Sequence, residues 1–363
     1  MKINQILSKK EFSKEDIVNL LSTTETTEIE LLKAKAYSVM KKYCGEDVHL
    51  RGLIELSNIC INDCFYCGIR KSNSEIKRYI LEREEIIELA EWIAKRGFGS
   101  MVLQSGERND DNFEKFIENL VFIIKNITKS QDLPDGLGIT LSLGEQNKET
   151  YQKWFNAGAH RYLLRIETTN EKLYSKIHPP SLNLKKRIEC LNILKNIGYQ
   201  VGTGVMIGLP EQTLEMLADD ILFFKEQDID MIGMGPYIVH NNTPMSEYTE
   251  YFETNKLSIY QLALNMIAVT RIVLKDVNIA STTALQAMND FGREEGLMYG
   301  ANVIMPQVTP VRFRKSYQLY EGKPYLDEFA EVCVSGIEET INNINRKVSY
   351  NKWGDSKHFK NQK

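Results

Sequence analysis

Eight apolar runs of strand length, at 48–56, 100–104, 138–143, 162–167, 202–207, 231–239, 278–283 and 301–305, alternate along the chain with stretches of helical period such as 83–96, 213–227 and 257–274. Strands separated by helices of this length pair in parallel, because each crossover helix carries the chain back to start the next strand at the same end. The alternation predicts an α/β fold, a single (β/α)8 TIM barrel with an N-terminal helical extension and a C-terminal helical segment. Residues 1–47 read as the extension packed on the barrel, 48–346 as the barrel and 347–363 as a C-terminal tail free to fray. No internal repeat, low-complexity tract or Pro/Gly/Ser-rich linker divides the 363 residues.

Charge and cysteine content narrow the function classes. Lys plus Arg total 45 against 49 Asp plus Glu, a formal charge of -4, so nothing marks a nucleic-acid or anionic-lipid surface. Six cysteines, at 44, 60, 64, 67, 190 and 333, are too sparse for a disulfide scaffold and suit a reducing compartment. The first ten residues lack the apolar core of a signal peptide, and no stretch approaches the about 18 uncharged apolar residues of a membrane span. A cytoplasmic protein with small-molecule or protein partners, and neither nucleic acid nor membrane, is the expectation.

Cys60, Cys64 and Cys67 fall just after the first expected strand, in Asn58-Ile-Cys-Ile-Asn-Asp-Cys-Phe-Tyr-Cys-Gly68, spaced C-x3-C-x2-C with no fourth cysteine near them. A [4Fe-4S] cube has four irons, so three thiolates leave one iron open to a small molecule, whereas structural sites usually fill every position with protein ligands. The alternative is a structural metal knuckle completed by Cys44 or a histidine. In a barrel of this kind the C-terminal ends of the strands carry the chemistry, and the cysteines stand at one of them.

C-x3-C-x2-C with Tyr66 just before the last cysteine resembles the radical S-adenosylmethionine (SAM) enzymes. Gln104-Ser-Gly-Glu107 resembles that family's Gly-Gly-Glu-like turn, whose backbone receives the SAM amino group. Gly204-Val-Met-Ile-Gly-Leu-Pro-Glu211 is similar to its fifth-strand motif, with Met206 at the usual isoleucine. On the fourth strand Arg165 and Glu167, two apart, would share one face. Burying such charges without a purpose is costly, which favours function for these two; for Arg161 a structural ion pair is the preferred reading.

Leu103–Glu107, 140–145, 161–168, 208–213, 301–306 and 317–320 together resemble the HydE family of [FeFe]-hydrogenase maturases across nearly the whole chain, beyond the barrel and cysteine motif shared with methylornithine synthase and biotin synthase. The resemblance implies that Cys60, Cys64 and Cys67 hold a [4Fe-4S] cluster whose open iron binds SAM. Tyr66, Gln104, Ser142, Glu167 and Arg187 would bind the cofactor, Arg187 through the SAM carboxylate and Glu167 through hydroxyl or ammonium groups. Thr140, Arg165, Thr282, Thr283, Met305, Tyr317 and Tyr320 would line the substrate cavity. Only Cys333 stands where some HydE proteins place three cysteines, so no second cluster is expected, and Cys333, Cys44 and Cys190 read as lone packing thiols.

The implied reaction is reductive cleavage of SAM, with the adenosyl radical attacking the sulfur of an iron-bound cysteine complex. The maturase HydG would make that complex, HydF would receive the product, and a low-potential donor would reduce the cluster. Two other readings stay open: a radical SAM enzyme acting on an amino acid, such as a methylornithine synthase-like mutase, and a non-catalytic iron-sulfur binding protein.

Overall fold

The computed structural model describes residues 3–328 and 330–361, with every side chain in that range except those of 331–333. The expectations for Cys333, including the one against a second cluster, therefore lie outside the described residues. All eight expected strands are present, as Asp47–Ser57, Ser100–Ser105, Gly138–Ser142, Ala159–Leu163, Gln200–Thr203, Met231–Ile232, Asn278–Ile279 and Val303–Ile304. They pair in parallel in chain order, and the eighth returns to the first. The seventh and eighth meet through the bridge of Ala280 with Val303, the bond from Asn302 N to Ile279 O (3.0 Å) and the bond from Ser281 N to Val303 O (2.9 Å). The result is the (β/α)8 barrel.

Several strands stop earlier than their apolar runs suggest. The fourth ends at Leu163. The fifth and sixth break off and resume as a separate parallel pair, Met206–Ile207 beside Gly235–Pro236. The reason lies between them: a Cβ on Gly204 would stand 2.0 Å from the carbonyl oxygen of Gly233, so the two backbones touch where a regular ladder would keep strands about 4.8 Å apart. The seventh run yields to the helix Thr283–Met288 after two paired residues.

Ahead of the barrel stand three helices, Ile3–Leu7, Lys14–Leu21 and Thr26–Cys44. The second starts at a capping box in which Ser13 and Asp16 satisfy each other's backbone N–H groups. The third buries Leu32, Ala36, Met40 and Cys44, four residues apart and so on one face, and packs on the long helix Thr249–Leu274. The stretch Pro244–Leu274 is long and apolar enough to cross a membrane by length and composition, and 61% of its apolar window is buried inside the protein.

The described C-terminal residues, through Asn361, are tied to the barrel. Lys347–Val348 pairs in parallel with the first strand, and the chain then plugs the bottom of the barrel. Gly354 O accepts from Arg51 (3.1 Å) and from Asn278 (2.8 Å), while Trp353 O and Asp355 accept from Arg161 at 3.0 and 2.6 Å. Arg161 is fully buried, and Asp355 is its counter-ion, as an ion pair on that strand requires.

Candidate active site

The first strand delivers the chain to the mouth of the barrel, and residues 58–73 then form an irregular loop whose backbone groups need partners. One side chain supplies many of them. The guanidinium of Arg78 donates to the carbonyls of Asn58, Ile69, Arg70, Lys71 and Asn73 at 2.5–3.2 Å. Asp63 accepts from Arg70 Nε (2.6 Å) and from Ser72, and these contacts hold its carboxyl down at about 2. On the other side Gly106 lies so close that a Cβ there would meet Ile59 O at 2.4 Å and the Cys60 Cβ at 2.7 Å, so the turn after the second strand packs directly on the loop.

Within this frame Cys60, Cys64 and Cys67 line one cavity of about 320 Å³ at the C-terminal ends of the strands. Burial raises all three thiols, Cys64 to about 12, with Arg187 the chief opposing charge there. Thiols so buried become thiolates when metal cations supply the missing positive charge, and the donor set fits a cluster. Among the described residues no three His, Cys, Asp or Glu side chains converge as they would on a single ion. A cube does not require it, since each thiolate binds its own iron.

The residues expected to hold the cofactor line the same cavity: Tyr66, Gln104, Ser142, Glu167 and Arg187. Arg187, in the helix Leu184–Ile197, is a clamped side chain. Its Nε donates to Glu145 Oε1 (2.8 Å), one terminal nitrogen donates to Arg165 O (3.0 Å), and another lies 3.7 Å from Glu107 Oε2. Glu167 sits just past the fourth strand at φ 62°, a left-handed conformation rare for a glutamate, held by its N–H to Gly204 O and its carbonyl to Met206 N, both 3.0 Å. Tyr66 is half-buried and meets His178 edge-on, its hydroxyl 3.4 Å from Nε2, and burial followed by the nearby Arg187 charge lowers that imidazole to about 3.

Beyond them lie Arg165, Thr282, Thr283, Met305, Tyr317 and Tyr320. Arg165 donates to Glu167 (2.9 Å) and to Val205 O (3.0 Å), so the two charges do share a face although the regular strand has ended. The Thr282 hydroxyl is buried against Gly235 with no partner among the described residues. Thr283 accepts from Arg293 (3.0 Å), and the Tyr317 hydroxyl accepts from Gln104 (3.3 Å). Thr140 stands apart: it lines a smaller pocket deeper in the barrel, beside Arg51 and Met231, and its hydroxyl accepts from Arg161 Nε at 2.9 Å. Glu211, at the end of the fifth-strand motif, points to solvent and pairs with Lys176.

Two charged cavity residues were not singled out from sequence, Glu55 and Lys323. Lys323 Nζ lies 2.5 Å from Glu55 Oε1, and Gln307 Nε2 donates to Glu55 Oε2 at 2.6 Å. Glu55 carried a signal: with Arg51, Leu53 and Ser57 it occupies the alternate, inward positions of an otherwise apolar strand. Lys323, in an irregular segment, carried none.

Barrel, cysteine loop and a largely apolar cavity set with charged side chains together define a radical SAM enzyme. Residues 54–224 match the family described as the Radical SAM superfamily, whose members use a [4Fe-4S] cluster and SAM. The chain is 42% identical over 352 residues, 97% of its length and 96% of the relative's, to the [FeFe] hydrogenase maturase subunit HydE of Thermotoga maritima. It is 28% identical to 3-methylornithine synthase of Methanosarcina acetivorans, over 83% of this chain and 81% of that one. A crystal structure of methylornithine synthase superposes with a TM-score of 0.79 at 22% identity, covering 96% of this chain and 97% of the other, which shows the shared fold. The chain belongs to the HydE family of radical SAM enzymes.

Proposed function

We propose that this enzyme acts in assembly of the diiron site of [FeFe]-hydrogenase, in the cytoplasm, by processing an iron-bound cysteine complex. The observation that carries the reading is that three cysteines and three cation–carboxylate pairs, Arg165–Glu167, Arg187–Glu107 and Lys323–Glu55, face one cavity, within a chain 42% identical to HydE. Cys60, Cys64 and Cys67 would hold the cluster, which would supply the electron that cleaves SAM and so the adenosyl radical for attack on the cysteine sulfur. The chain does the rest. Arg187, fixed by Glu145, offers a guanidinium to the SAM carboxylate, and Glu167 offers acceptors to its hydroxyl or ammonium groups. Ser142, Tyr66 and Gln104 frame the cofactor, while Arg165, Thr282, Thr283, Met305, Tyr317 and Tyr320 present hydroxyls, one cation and apolar wall to the substrate and keep water out. HydG as supplier, HydF as receiver and a low-potential electron donor complete the scheme.

A second reading, an amino-acid mutase like methylornithine synthase, draws on the same paired charges, which suit a zwitterion, and on the shared fold. The deciding experiment is activation of apo-hydrogenase with HydG and HydF in the presence or absence of this protein. Activation that depends on it supports the maturase. Failure, together with 5′-deoxyadenosine release stimulated by an amino acid, would support the mutase.

A further inference from the structure

The cavity holds one more ion pair than the cofactor and the Arg165 wall account for. Lys323 and Glu55 have side chains only 8% and 3% exposed, yet both line the space shared with the cysteines. Burying two charges costs several kcal/mol per ion, and a pair of apolar side chains of the same size would hold the fold as well or better, so stability alone is a poor account of the pair. Its surroundings are also arranged. Glu55 Oε2 is fixed by Gln307 at 2.6 Å, and Gln307 Oε1 in turn accepts from Thr309 at 2.9 Å, so the carboxylate cannot swing to follow the lysine.

An ammonium carries three N–H donors. Lys323 spends one on Glu55 (2.5 Å) and one on Tyr317 O (2.9 Å), and its Nζ lies 5.3 Å from the centre of the Tyr317 ring. That leaves a donor in a cavity whose other cations are held elsewhere, Arg187 by Glu145 and Arg165 O, and Arg165 by Glu167 and Val205 O through one terminal nitrogen. The segment bringing Lys323 also brings Tyr317, Leu319 and Tyr320 to the lining, and it is tied to the cysteine loop through the bonds from Gly68 N to Leu319 O (3.0 Å) and from Asn58 to Ser316 O (2.7 Å).

We propose that Lys323, held in place by Glu55, is a substrate-binding residue that takes the carboxylate of an amino-acid group in the molecule processed, while Glu55 takes that group's amine hydrogens. This deepens the reading of the cavity as a substrate site and rests on it. The ligand chemistry is an α-amino acid, free or bound to a metal through its side chain, in preference to a simple inorganic anion, because a carboxylate stands beside the cation.

The test uses holoenzyme loaded with SAM, titrated anaerobically with L-cysteine and with cysteamine, which differ only by the carboxylate. A charge-assisted hydrogen bond makes the wild type favour cysteine by about 10- to 100-fold. Lys323→Met collapses that ratio towards one, and Lys323→Arg keeps most of it. If Lys323→Met fails to fold, the double variant Glu55→Gln with Lys323→Met, which leaves no unpaired buried charge, answers in its place. A wild type that binds both ligands alike or neither, or a neutral variant that keeps the preference, overturns the proposal. Loss of hydrogenase activation with the preference intact would sink the maturase reading instead, so the two failures are distinguishable.

Discussion

Arg187 Nε lies 2.8 Å from Glu145 Oε1, with both side chains buried, and the backbone N–H of Glu145 donates in turn to Glu107 Oε2 at 2.8 Å. The three residues come from a helix, the loop after the third strand and the turn after the second, so the guanidinium is aimed by groups far apart in sequence. Glu145→Ala leaves a buried arginine without its main partner. The expected loss is at the lower end of the about 3–5 kcal/mol that such removals cost, since Glu107 and Arg165 O remain. Chemical denaturation reads that loss, and a SAM titration of the reconstituted protein should show weaker binding. Wild-type SAM affinity in a well-folded variant would remove Arg187 from the cofactor site.

The break in the fifth and sixth strands gives a contrast between two glycines. Gly204→Ala drives a Cβ into the Gly233 carbonyl and should destabilise by at least the about 1–3 kcal/mol of overpacking, because backbone rather than a flexible side chain must move. Gly233→Ala meets only Leu163 methyls at 3.7 Å and should unfold close to the wild type. Thermal unfolding of the pair checks the difference, and equal effects would contradict the close approach.

At the opposite end of the barrel the Arg161–Asp355 pair is a matter of stability alone. Burial pushes the Asp355 carboxyl up, but the hydrogen bond from His160 and the charge of Arg161 outweigh it and hold the group well below the usual carboxylate range. Asp355→Asn should cost about 3–5 kcal/mol by stranding a buried guanidinium, while SAM cleavage per folded molecule stays at the wild-type rate. A selective loss of cleavage would show that the floor of the barrel reaches into the chemistry.

His358 ties the C-terminal residues to Asp276 at 3.1 Å and Asp228 at 2.7 Å. The Asp276 hydrogen bond, against burial and with help from Asp228, raises the imidazole to about 9 from an ordinary 6.5. A group whose folded-state value is raised stabilises fully below its unfolded value, so this contribution is complete below pH 6.5 and fades as pH climbs through 9. The Tm difference between wild type and His358→Gln should therefore be largest near pH 6 and vanish above pH 9. A difference that grows with pH would invert the assignment.

Much of this was legible in the chain. Parallel strands and helices announce themselves by period, and C-x3-C-x2-C fixes three ligands on one local loop, so the barrel and the cysteines follow from short-range pattern. Glu167 and Arg165 were readable as charges in an apolar run. What sequence could not give depends on contacts between distant segments: Arg78 holding five loop carbonyls, Lys323 reaching back to Glu55, and residues 353–355 plugging the barrel around Arg161. Thr140, which the HydE resemblance implies for the cavity, lies two positions before Ser142 on the strand, and that places it a layer deeper, on Arg161. The early end of the fifth and sixth strands likewise depends on where Gly204 meets Gly233 in space.

The most direct test of the central claim is anaerobic. Reconstituted, reduced enzyme is mixed with SAM, with and without the iron-bound cysteine complex, and adenosine-derived products are quantified for wild type and Cys64→Ser. Adenosyl chemistry that requires both Cys64 and the complex is the predicted result; products formed equally without the complex, or by the serine variant, would contradict it.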